Sequence, residues 1–263
     1  MECKDSYVDT KYGKIHVVRR YGNGSKIIFV HGWYPPSDSR DYWEALWNRL
    51  PNNFDLIAFD LLGCGKSAKP PDAEYTAGLQ ADILSDIVDA LKLSDFVLVG
   101  HSYGGQIASL FASGNKNVRG LVLEAPAGLE ENMRAMRNSG FLPKQKEILY
   151  DNLMRFIKKS FGPEDVRDIE PIIKKQCQNE EQDTLTKEKL ARISARTLII
   201  WGVKDGTLNP SSAQSFKRYM PNSSVELIDA GHNIHFEKPE WFAEKLTTFA
   251  TGVMKDFPKN KVS

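Results

Sequence analysis

The chain alternates short, continuous apolar runs with stretches whose apolar residues recur every three or four positions. "KIHVVRR" (14–20), "KIIFVHG" (26–32), "FDLIAFD" (54–60), "DFVLVG" (95–100), "VRGLVLEA" (118–125), "RTLIIWG" (196–202) and "SVELIDAG" (224–231) are rich in β-branched residues and predict strands. Between them, "DYWEALWNRL" (41–50), "GGQIASLFASG" (104–114), "SSAQSFKRYM" (211–220) and "KPEWFAEKLTTFATGVMKDF" (238–257) predict helices. The stretch 75–93 places Leu79, Ile83, Ile87 and Leu91 on one helical face, with Thr76 or Asp72 as the candidate start.

Runs such as "IIFV", "FVLV", "LVL" and "LII" lack the two-residue alternation of a strand with one wet face. They predict strands buried on both faces, hence an α/β fold with a mostly parallel central sheet between helices. From Gly128 to Leu190 the strand signal stops. There Ile148, Leu149, Leu153, Phe156 and Ile157 share a helical face, Pro163 suits a first helical position, and Pro171 interrupts the next stretch. The alternation then resumes as if uninterrupted. The expected organisation is a core of 1–127 and 191–263, with 128–190 inserted as a helical lid.

Composition narrows the function classes. Of 263 residues 41% are hydrophobic and 26% charged, and the net charge is +1. That balance does not point to nucleic acid or an anionic membrane surface. No apolar run approaches the roughly 18–20 residues that cross a bilayer, so no stable membrane insertion is expected. The first residues lack a secretory pattern, and a cytoplasmic protein is expected. Cys3, Cys64 and Cys177 are few, odd in number and far apart, which argues against a disulfide framework or a zinc site.

The candidate chemistry begins at "VLVGHSYGG" (97–105). Gly100-His101-Ser102-Tyr103-Gly104 fits G-x-S-x-G, placed after a predicted strand and before a predicted helix. A serine on so sharp a turn is expected at positive φ, with only glycine tolerated two residues to either side. Its hydroxyl needs a base, and the base an orienting carboxylate. Asp205 and His232 lie just past two later strands, and carboxyl ends of parallel strands converge on one sheet edge. His235 is the rival base and Glu124, ending "LVLEA", the rival acid. An H-x-x-H metal pair of His232 and His235 lacks accompanying ligands at the right spacing. "GCGKS" (63–67) imitates a phosphate loop, but Asp60 stands where that pattern needs its first glycine, leaving a tight turn. His31 is expected to shape its loop by hydrogen bonding, His101 to pack beside the turn, and His16 to be an ordinary strand residue.

With "HGW" (31–33), "DLLGCGKS" (60–67), "GHSYGG" (100–105), "WGVKD" (201–205) and "GHNIHFEKPE" (231–240) in this order, the chain resembles the α/β-hydrolase fold superfamily over nearly its whole length. The resemblance implies Ser102 as nucleophile, His232 as base and Asp205 as orienter. It also implies an oxyanion hole from the backbone N–H groups of Trp33 and Tyr103, and no metal or organic cofactor. The expected partner is a small-molecule ester, cleaved as carboxylesterases do. Segment 130–190 carries 12 acidic and 12 basic residues, so it offers no net field to select a charged substrate. Carbon–carbon bond hydrolases and lactonases share the scaffold, though the former usually carry Asn where this chain has His101. A ligand receptor that keeps the triad without turnover is the alternative of another class.

Overall fold

In the sheet, residues such as Ile28 and Val30 point to one face while Ile27 and Phe29 point to the other, and all four are buried. That is why these runs are continuously apolar. A computed structural model describes residues 3–33, 38–138, 148, 150–151, 154–155, 158–159, 169–179 and 183–255. Its strands are β1 (Lys4–Thr10), β2 (Gly13–Arg20), β3 (Lys26–Val30), β4 (Asp55–Phe59), β5 (Phe96–His101), β6 (Val118–Glu124), β7 (Arg196–Gly202) and β8 (Ser223–Ile228). They form one sheet in the order β1-β2-β4-β3-β5-β6-β7-β8. The β1/β2 and β2/β4 pairs are antiparallel; every other pair is parallel.

Helices cover both faces. On one, α1 (Ser39–Trp47) and the long C-terminal helix (Pro239–Lys255) contribute Trp43, Leu46, Phe242, Leu246 and Val253 to the core under Phe29, Val97 and Val122. On the other, α2 (Ala77–Ala90) and α3 (Tyr103–Ala112) bring Ile83, Ile87, Ile107 and Phe111 against Ile28, Leu98 and Leu121. Thr76 begins α2, its hydroxyl accepting the Leu79 N–H at 3.1 Å.

The predicted insertion follows β6. Its described helices are α4 (Glu130–Asn138) and α5 (Glu170–Asn179), and a short α6 (Lys187–Ala191) leads back to β7. Leu129 and Leu185 pair across its two ends in a parallel bridge. Pro171 does not interrupt a helix. It sits in the first turn of α5, where its missing N–H costs nothing. The expected apolar face at Leu149, Leu153, Phe156 and Ile157, and Pro163, lie outside the described residues, as do the last two positions of the predicted C-terminal helix. Completing the chain are α7 (Ser212–Tyr219), the four-residue α8 (Ile234–Glu237) and α9, the C-terminal helix already described. The three cysteines are free.

Candidate active site

The carboxyl ends of β3, β5, β6, β7 and β8 lie side by side, so the residues after them share one edge of the sheet. Ser102 follows β5 with φ 53° and ψ −117°, the strained turn its pattern predicts. The backbone is over-determined there. The Ser102 N–H donates to the Glu124 carbonyl at 2.9 Å, and the Ser102 carbonyl accepts from the N–H groups of Gly105, Gln106 and Ala127. The flanking glycines are required by neighbours rather than by the serine itself. A Cβ on Gly100 would lie 2.5 Å from the Gly104 carbonyl oxygen, and one on Gly104 would strike the carbonyl oxygens of Val30 and His31.

Asp205 and His232 meet. The imidazole Nδ1 of His232 and Asp205 Oδ2 are 2.8 Å apart. The carboxylate also accepts from Trp201 Nε1 at 3.0 Å and from the N–H groups of Thr207 and Leu208 at 2.8 and 2.9 Å. Burial pushes its pKa up, but the hydrogen bonds from His232, Leu208 and Thr207 outweigh it, and the net shift is downward. Asp205 is therefore held ionised. Among the described residues Ser102 and His232 share no hydrogen bond. They are joined through His101, whose Nε2–H donates to the His232 carbonyl at 3.0 Å and whose ring lies 4.8 Å from that of His232. Base–nucleophile bonds are often long until substrate is bound.

The rival pair is also real and separate. His235 places Nδ1 2.9 Å from both Glu124 oxygens, and its backbone N–H donates to the same carboxylate. Glu124 is thus engaged away from His232. The ligand atoms of His101, Glu124 and His235 lie within 4.8 Å of one another. Tyr42 and the His232 carbonyl occupy both nitrogens of His101, while His235 holds Glu124, so the lone pairs a cation needs are already committed.

Tyr103 opens α3, so its N–H is one of those without an intrahelical acceptor. Trp33 lies past β3, and its indole N–H donates to Gln176 of α5 at 2.6 Å. His31 does shape this loop. Its Nε2 accepts the Leu61 N–H at 3.0 Å, so Nδ1 carries the proton and donates to the Gly32 carbonyl at 2.7 Å. Burial lowers its pKa and keeps it neutral. Because the peptide is planar, holding the Gly32 carbonyl also fixes where the Trp33 N–H points.

One expectation needs correction. His16 is more than a strand residue: fully buried, it pairs through Nδ1 with Asp60 at 2.9 Å and through Nε2 with Asp5 at 2.8 Å. Asp60, the residue that breaks the phosphate-loop pattern, is what holds the "GCGKS" turn, accepting from the N–H groups of Lys66 and Ser39. Tyr42, which contacts His101, left no signal in the sequence, since it reads as one more aromatic on an amphipathic helix.

A mostly parallel eight-stranded sheet with a serine on a strained strand-to-helix turn defines an α/β hydrolase. The model of the alpha/beta hydrolase family matches residues 27–245, and the chain belongs to that family. It is 27% identical over 256 residues to Lipase 3 of Moraxella sp. (strain TA144), spanning 88% of this chain and 79% of that protein. It is 25% identical over 264 residues to monoacylglycerol lipase ABHD6 of Homo sapiens, spanning 89% and 77%. The crystal structure of a membrane phospholipase A superimposes with TM-score 0.76 at 25% identity, over 96% of this chain and 87% of the other. Among the described residues no helix is long and apolar enough to cross a membrane.

Proposed function

We propose that the chain is a serine hydrolase that cleaves small, neutral carboxylic esters through an acyl-enzyme. The observation that carries the reading is the His232–Asp205 pair, 2.8 Å apart, on the same sheet edge as the strained Ser102 turn. In this reading Ser102 Oγ attacks the ester carbonyl while His232 takes its proton. Asp205, held ionised by four donors, fixes the imidazole tautomer and stabilises the imidazolium. The N–H groups of Tyr103 and Trp33 receive the oxyanion, each donor worth about 3 kcal/mol in the transition state. His232 then protonates the leaving alcohol and activates the water that releases the acid. The chemistry needs no metal or organic cofactor.

Segment 128–190 acts as a lid over this edge. Support comes from the Trp33–Gln176 hydrogen bond and from Ile172 of α5, a side chain that a Cβ on Gly63 would meet at 3.1 Å. Its equal acidic and basic counts suit a neutral substrate. Relatives named as a lipase and a monoacylglycerol lipase agree with ester cleavage.

Labelling with a fluorophosphonate, followed by turnover on p-nitrophenyl esters, lactones and aryl diketones, tests the reading. Labelling at Ser102 with ester turnover, both lost in Ser102→Ala, is the expected result. Labelling without ester turnover overturns it, in favour of lactone or carbon–carbon cleavage if those substrates react and of a receptor if none does.

A further inference from the structure

Behind the proposed triad runs a chain of hydrogen bonds whose directions are all determined. The Gly32 N–H donates to the Tyr42 hydroxyl oxygen at 3.1 Å. Tyr42 has a single proton, and its oxygen lies 2.5 Å from His101 Nδ1. At the far side of the same ring, Nε2 lies 3.0 Å from the His232 carbonyl oxygen, which can only accept. Nε2 therefore carries the ring proton, Nδ1 accepts, and the tyrosine donates. The ring stays neutral, because burial pushes the His101 pKa down to about 3. Three bonds thus link the loop before Trp33 to the loop bearing His232, passing through the residue beside Ser102.

The surroundings leave this chain little freedom. A Cβ on Gly32 would sit 2.6 Å from the Tyr42 hydroxyl and 2.9 Å from His101 Nδ1, so the close approach demands glycine. The Tyr42 ring stacks on His235 at 5.0 Å and 18°, and Glu124 anchors His235. The Glu124 carbonyl in turn holds the Ser102 N–H.

We infer that Tyr42 and His101 are positioning residues that set the spacing of the oxyanion-hole loop and the base loop about Ser102. Neither touches substrate. This rests on the serine-hydrolase reading above. A neutral relay suits the task, since it transmits position without adding a charge beside the imidazolium that forms on His232.

The test uses the full chain and Tyr42→Phe, which keeps the ring stack and removes only the hydroxyl. Expected is a fall in kcat of about 10- to 100-fold with KM within about twofold, the size that small misplacements of reacting groups produce. The inhibition constant of a trifluoromethyl ketone, which forms a tetrahedral adduct and needs the oxyanion hole, should rise by the same factor. A purely structural role lowers the folded fraction and the melting temperature but leaves that inhibition constant unchanged. His101→Asn retains one donor and one acceptor and should recover part of the activity that His101→Phe loses. Unchanged kcat in Tyr42→Phe, or an unchanged inhibition constant, overturns the positioning role and leaves the triad standing. Absence of Ser102 labelling in the unmodified chain overturns both.

Discussion

Two histidine–carboxylate pairs sit on neighbouring strand ends, and they are nearly identical as pairs. His232 and Asp205 are 2.8 Å apart; His235 and Glu124 are 2.9 Å apart. What differs is the environment of each imidazole. The His232 side chain is 13% exposed and the His235 side chain 4%. His235 is stacked on Tyr42 and packed against Trp43 and His101. A histidine that exchanges protons with a reactant must present one nitrogen to it, which in the proposed reading favours the more open His232. The sealed pair is suited to holding backbone in place. Spacing alone would not separate the two pairs; burial and stacking do.

Neutralising each carboxylate in turn is the largest break in this comparison. Asp205→Asn should lower kcat by about 10⁴-fold, because the amide favours the wrong imidazole tautomer; its carboxylate is as buried as that of Glu124, so some folding stability is lost as well. Glu124→Gln should act chiefly on folding. Removing one partner of a buried pair costs about 3–5 kcal/mol of stability, while kcat per folded molecule falls by less than about tenfold. Steady-state kinetics and urea unfolding on both variants check this. A loss of 10⁴-fold in Glu124→Gln with intact folding would assign the orienting acid to the other pair.

Most of this architecture was legible because burial leaves a pattern. Strands buried on both faces read as unbroken apolar runs, and β3 to β7 were located that way, while β2 and β8 were found from their β-branched residues. β1 was not, since only Val8 of its seven residues is buried; at the sheet's edge, an ordinary polar stretch suffices for pairing with β2. The helices α6 and α8, of five and four residues, are too short to show a helical period. Asp205 and His232 could be placed because a sheet edge collects strand ends. The Tyr42–His101 contact could not, for it joins residues 59 apart through a helix whose pattern reports only its core face. His16 looked ordinary for a related reason: its two carboxylates come from β1 and from the turn after β4, and no local pattern marks them.

His16 supplies a third pair that sharpens the contrast, since here carboxylates face both nitrogens. Burial and Lys66 lower its pKa, but hydrogen bonds to Asp60 and Asp5 and the Asp60 charge prevail, and the shift is upward. Its stabilisation is fully present below the unfolded histidine value, about 6.5. As pH rises past that point the unfolded chain releases its proton first, and the contribution is gone once the folded pKa is passed. Asp60 is displaced the other way: burial raises it, bonds from His16, Lys66 and Ser39 lower it further, and its contribution disappears as pH falls through its depressed folded value. The urea midpoint should therefore decline from pH 6 to pH 9. His16→Gln should cost about 3 kcal/mol at pH 6 and remove most of that decline. A midpoint that rises across this range contradicts a charged His16.

The finest distinction lies in how many donors each carboxylate has. Asp205 Oδ2 receives the Trp201 indole N–H as well as His232, and Oδ1 receives two backbone N–H groups. Trp201→Phe keeps an aromatic ring against Phe216 and deletes that one donor. One hydrogen bond to a group that keeps three other donors is worth about 1 kcal/mol, so kcat should fall about fivefold. The orientation of His232 persists, because its own bond to Asp205 is untouched. If the indole instead fixes the carboxylate's rotamer, the loss approaches that of Asp205→Asn; the kcat ratio of the two variants, measured on one ester, tells these apart. A small loss means the Thr207 and Leu208 N–H groups anchor the carboxylate without help. The loop after β7 is then what aims the acid at its imidazole.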